Sequence, residues 1–132
     1  MYLKNNQKLL VGFLFLLLVL TLTSCKWPIA TYNEIEVIKK EALALVDKST
    51  NDDFAIHQVA TSNLSQRINT IISNKTPKAG TKMLSVINTE EKNLWGGFVK
   101  LWRTQGKINA TAIPGIKQNM ETAFNEALAL GK

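Results

Sequence analysis

The chain holds one histidine and one cysteine, and most of the chemistry open to it has to run through these two residues. His57 has Asp53 four residues before it, a spacing that places both side chains on one helical face and offers two ligands to a metal. Zinc takes three or four protein ligands, and no second histidine or further cysteine exists to complete the shell, so no metal centre is expected. Glu90 and Glu91 are adjacent. On a helix such neighbours point about 100° apart and cannot flank one bond as a hydrolytic carboxylate pair does. Serine and threonine hydroxyls need a base, and no nucleophile motif surrounds them or His57. No glycine-rich phosphate loop is present. No catalytic residue is assigned. An enzyme acting on cell wall or lipid would need a polar pocket that converges on His57 through folding.

Cys25 belongs to a different kind of chemistry. Residues 1–8 carry Lys4 and Lys8 and no acid, and Leu9 to Leu22 is an apolar stretch of 14 residues. A spanning helix needs about 20 residues, so the stretch suits an export signal better than a permanent anchor. Leu22-Thr23-Ser24-Cys25 follows, and this segment resembles the lipobox of bacterial lipoproteins. The resemblance implies a diacylglyceryl group on the sulfur of Cys25, cleavage between Ser24 and Cys25, and acylation of the new amino terminus. It implies no other cofactor. A lone thiol outside the cytoplasm lacks a disulfide partner, and lipidation accounts for it. Each buried methylene contributes about 0.8 kcal/mol, so two or three chains hold a protein at a bilayer where one does not. Lys26 stands where an aspartate would signal inner-membrane retention in many two-membrane species, which favours the periplasmic face of the outer membrane over the cytoplasmic membrane. The expected organisation is a cleaved signal peptide over 1–24, the lipidated cysteine and a short membrane-proximal spacer over 25–30, and a helical domain over 31–132. Lys26 and Trp27, in the spacer, suit the head-group region.

The elements that must carry any further function are helices, since apolar residues recur at threes and fours and no alternating stretch is long enough for a strand. Thr31 and Glu34 have capping-box spacing, with Asn33 and Glu36 as a second start, and Ile35, Ile38, Ala42, Leu45 and Val46 form one stripe of a first helix ending near Lys48. Ser49-Thr50-Asn51 leads to a second helix from about Asp52 to Ser73, its face continued by Phe54, His57, Leu64, Ile68, Ile71 and Ile72. Thr61-Ser62-Asn63 is its weak point, because these side chains compete for backbone hydrogen bonds. Asn74 to Gly80 reads as a loop, followed by a third helix from about Thr81 to Gln105. Asn88-Thr89-Glu90 could start a fresh helix there, and Gly96-Gly97 requires a compensating close approach, since each glycine costs about 1 kcal/mol relative to alanine. Pro114 and Gly131 bracket a last helix facing inward through Ile116, Met120, Ala123, Phe124, Ala127 and Leu128. Short connections favour antiparallel neighbours. The expected fold is all-α, a small up-and-down bundle of about four helices.

Cleavage would leave fourteen basic residues against ten acids. Arg67 to Lys107 is the basic stretch, with eight Lys and Arg against Glu90 and Glu91. Outside the cytoplasm its anionic partners are lipid head groups, lipopolysaccharide phosphates and cell-wall carboxylates, not nucleic acid. Within this stretch Trp95, Phe98 and Trp102 lie at helical spacing beside Lys100 and Arg103. Two readings stand: the aromatic rings fill the core, or a surplus aromatic edge with its basic flank faces a bilayer or a partner protein. The function expected is a non-enzymatic, membrane-anchored module that binds another envelope protein. The alternative is a carrier of lipid or amphiphile with a cavity near Gly96-Gly97, Ala123 and Ala127.

Overall fold

The computed structural model describes residues 26–131. The signal peptide over 1–24, the Ser24–Cys25 bond and Cys25 itself lie outside them. The described residues form five α-helices and no strand: α1 (Ile29–Lys48), α2 (Phe54–Ser73), α3 (Lys78–Asn88), α4 (Trp95–Gln105) and α5 (Ile113–Leu130), with a 3-10 turn at Ala110–Ala112. None of them is long and apolar enough to cross a membrane.

α1 packs on α2 and α5, and α3 packs on the same two helices, so these four close a square around one core. The directions follow from the contacts between them. Arg67 on α2 reaches Glu34 and Glu41 on α1. Asn88 at the end of α3 reaches Ser65 and Asn69 on α2. Lys117 early in α5 meets Asp47 late in α1 at 2.9 Å. The order is therefore up, down, up and down, with α4 inserted before the last helix and laid against α2 and α3. One pole gathers the start of α1, the α2–α3 turn and the end of α5. The far pole gathers the end of α1, the start of α2 and the end of α4.

The apolar stripe Ile35, Ile38, Ala42, Leu45 and Val46 is the buried face of α1, and Met120, Ala123, Phe124, Ala127 and Leu128 that of α5. Several points differ from the sequence reading, and one is the start of the third helix, which begins at Lys78 behind Pro77, so that residues 78–80 are helix and not loop. α1 starts at Ile29 behind Pro28, whose ring fixes φ at −54°, so Thr31 lies inside the first turn and Glu34 turns its carboxylate to Arg67. α2 runs unbroken through Thr61-Ser62-Asn63, because the buried Thr61 hydroxyl donates to the Gln58 carbonyl of its own helix while Leu64 and Ile68 hold the next turn in the core. The third helix is two helices, α3 and α4, separated by residues 89–94. Thr89 ends α3, its hydroxyl donating to the Val86 carbonyl at 3.0 Å, and starts nothing.

Gly96 and Gly97 explain this corner. A methyl group on Gly96 would lie 2.5–2.6 Å from the Thr89 carbonyl, and one on Gly97 would overlap the Lys92 carbonyl oxygen. The start of α4 is thus pressed on the end of α3 and on the turn, and backbone occupies the place where a Cβ would stand on either glycine. Gly115 is the opposite case, with nothing within 4 Å of an added Cβ. Gly115→Ala is expected to stabilise the domain by about 0.5–1 kcal/mol, read as a rise in the thermal midpoint.

Candidate functional site

Trp27 organises the first pole. The end of α5 leaves carbonyls without helical donors, and Trp27 supplies two: its indole N–H donates to the Ala127 carbonyl at 3.0 Å and its backbone N–H to the Gly131 carbonyl at 2.7 Å. The Gly131 amide turns to the Leu128 and Ala129 carbonyls instead. Trp27 is 6% exposed and its ring abuts Gly80 and Gly131, where any Cβ would collide with it. Trp27 is therefore a core residue, not a head-group anchor. The signal missed in the sequence was the pair of small residues, Gly80 and Gly131, that receive the ring from a distance of 53 and 104 positions.

At the far pole His57 pairs with Asp52, not Asp53: Nε2 and Oδ2 are 2.7 Å apart. Asp53 is spent as the N-cap of α2, its Oδ1 accepting from the Ala55 amide at 3.2 Å. The imidazole lies on Trp102, ring centres 5.5 Å apart, and the Trp102 indole N–H donates to the Asp52 carbonyl at 3.2 Å. Phe54 N–H to Gly106 and Ile108 N–H to Ser49 complete the corner. This set ties the α1–α2 turn to the end of α4. Among the described residues no hydroxyl hydrogen-bonds to His57, and no three His, Cys, Asp or Glu side chains gather as a metal site would require.

The aromatic residues singled out in the sequence face inward. Trp95 and Trp102 are fully buried, Phe98 nearly so, and the Trp95 indole N–H donates to Ser65 Oγ at 3.0 Å. They form a row of tilted rings, Trp95–Phe98 at 6.0 Å and Phe98–Trp102 at 5.6 Å between centres. Lys100 and Arg103 stay outside, Arg103 pairing with Glu90 at 3.2 Å on the surface. What α4 offers to solvent is a groove against α5 of about 330 Å³, with Phe98 as floor and Leu101 and Ile116 as walls.

A second groove runs between α1 and α2. Its floor is Leu45 and Leu64, and Ala44 and Ala60 face each other across about 340 Å³. Positions 37, 41, 44 and 48 form one line on α1, and 56, 60, 63 and 67 the facing line on α2. Arg67 crosses the groove to Glu41, and its hydrogen bond to Glu34 above all, at 2.7 Å, raises the guanidinium pKa further. Beyond the groove Ile56 and Val59 stand 69% and 73% exposed on α2. Neither stands out in the sequence, because each falls outside the inward stripe of α2.

Comparisons of the chain with protein-family models, with curated proteins and with solved structures find no match.

Proposed function

We propose that this chain is a small envelope lipoprotein, held outside the cytoplasm by diacylglyceryl and N-acyl chains on Cys25, that acts without catalysis by binding another envelope protein. The periplasmic face of an outer membrane is its proposed location, and the outer face of the cytoplasmic membrane the alternative. The carrying observation is the pair Ile56 and Val59, two large apolar side chains left in solvent on α2, near a groove whose floor is apolar and whose rim carries Glu41, Lys48 and Arg67. Scattered surface hydrophobics are ordinary, but two large ones three residues apart share a helical face and make a candidate docking patch.

The proposed occupant is one amphipathic helix of the partner. Among the described residues there is no strand edge for a peptide to extend, which leaves helix-in-groove packing as the available mode. The line from Val37 to Lys48 spans roughly 16 Å, about three helical turns, enough for apolar anchors at i, i+4 and i+7. The face lies toward the far pole, away from the point where the chain leaves toward the bilayer.

A photocrosslinking residue at position 59 is expected to trap one discrete protein in intact cells, and the adduct should fall at least tenfold in Ile56→Glu. The same probe at Gln118, on exposed α5, should trap nothing of that mass. Both sites are at the surface, so the fold is unaffected. Equal adducts from both positions, or none from position 59, would remove the docking face.

A further inference from the structure

The geometry points to the first pole as a membrane-contact face that binds the phosphates of anionic phospholipids through Lys26, Lys75, Lys78 and Lys82. Trp27, locked by its bonds to Ala127 and Gly131, leaves one residue between the folded body and Cys25, so the body stays within a few ångström, about two residues of chain, of whatever holds residue 25. This inference rests on the proposed attachment at Cys25, and asks what the body presents to the surface that it is held against.

The answer lies in charge and placement. Lys75, Lys78 and Lys82 are exposed around one shallow hollow of about 460 Å³, walled by Ile72, on the shoulder of the α2–α3 turn. Lys26 is exposed at the same pole, and none of the four makes an ion pair among the described residues. No acid occupies the first turn of α1 or of α3. The acids one turn further in are Glu34 and Glu36, held by Arg67 and Lys39, and Glu126 on α5. Ile29 projects beside Lys26 at 82% exposure, the most exposed of the large apolar side chains described. Unpaired lysines at one pole, with a projecting apolar residue beside one of them, match a head-group layer, where each lysine adds about fivefold to binding on an anionic surface and the apolar tip enters the acyl boundary.

The test uses the full-length lipidated protein, reconstituted in vesicles of phosphatidylcholine alone or mixed with phosphatidylglycerol. Lysines are acetylated and read by mass spectrometry, which also reads the state of residue 25 in the same sample. In the mixed vesicles Lys26, Lys75, Lys78 and Lys82 should react about fivefold or more slowly, while Lys100 and Lys107 are unchanged. High salt should abolish the difference. In the Lys75→Glu, Lys78→Glu, Lys82→Glu variant, whose changes are all at the surface, Lys26 should lose its protection as well. Lipid on Cys25 with equal reactivity in both vesicles overturns this inference alone. An unmodified Cys25 overturns it together with the attachment. Equal protection by inorganic phosphate in detergent would give the lysines to a soluble anion and overturn the membrane reading.

Discussion

Replacing Trp27 with alanine should destabilise the bundle by about 3–5 kcal/mol, the range for emptying a packed aromatic site. Domains of this size are held by about 5–15 kcal/mol, so the thermal midpoint should fall by on the order of 15 °C. The size of the effect comes from what Trp27 joins. It closes two carbonyls at the end of α5, fills the space over Gly80 and Gly131, and connects the first described residues to the last. Trp27→Phe keeps a smaller aromatic ring in the site and removes the indole donor to Ala127, and the loss should be about 2 kcal/mol, less than for alanine. Thermal unfolding of the two variants followed by circular dichroism gives both numbers. A Trp27→Ala protein within about 1 kcal/mol of the parent would mean that the indole does not fasten this pole.

Gly97→Ala is the second large effect. Intrinsic helix propensity favours alanine by about 1 kcal/mol, and at Gly115 that preference is free to act. At Gly97 the added methyl meets the Lys92 carbonyl, with its carbon at 2.8 Å, and neither group is the mobile end of a side chain. The 89–94 turn or the whole of α4 has to shift, and α4 cannot move without disturbing Trp95, Phe98 and Trp102 in the core. A net loss of about 3 kcal/mol is expected, the upper part of the overpacking range. The two glycine-to-alanine variants should therefore move the thermal midpoint in opposite directions. A stabilising Gly97→Ala would contradict the described corner.

The faces of the helices were legible because burial imposes a period on the chain. The stripe from Ile35 to Val46 and that from Met120 to Leu128 could be read without knowing what they touch. The all-α class followed from the same periods. What was not legible depends on partners far along the chain or on turns. Trp27 reads as an interfacial residue until Ala127 and Gly131 are brought beside it, 100 positions and more away. The break at 89–94 hides in a continuous apolar period, because α3 and α4 both bury the residues that one long helix would bury. His57 looked toward Asp53 by helical spacing, but Asp53 precedes the helix as its cap and Asp52 in the turn takes the ring. The candidate docking face was the least legible of all. Ile56 and Val59 are notable only because they remain outside once the core is complete.

Both proposals about function require that the chain be fastened at residue 25. The most direct measurement is the mass of the amino-terminal peptide of the protein isolated from the membranes of its own cells. The account predicts a chain beginning at Cys25 that carries a diacylglyceryl thioether and an amide-linked acyl group. A chain still bearing residues 1–24, or a free thiol at Cys25, would contradict it.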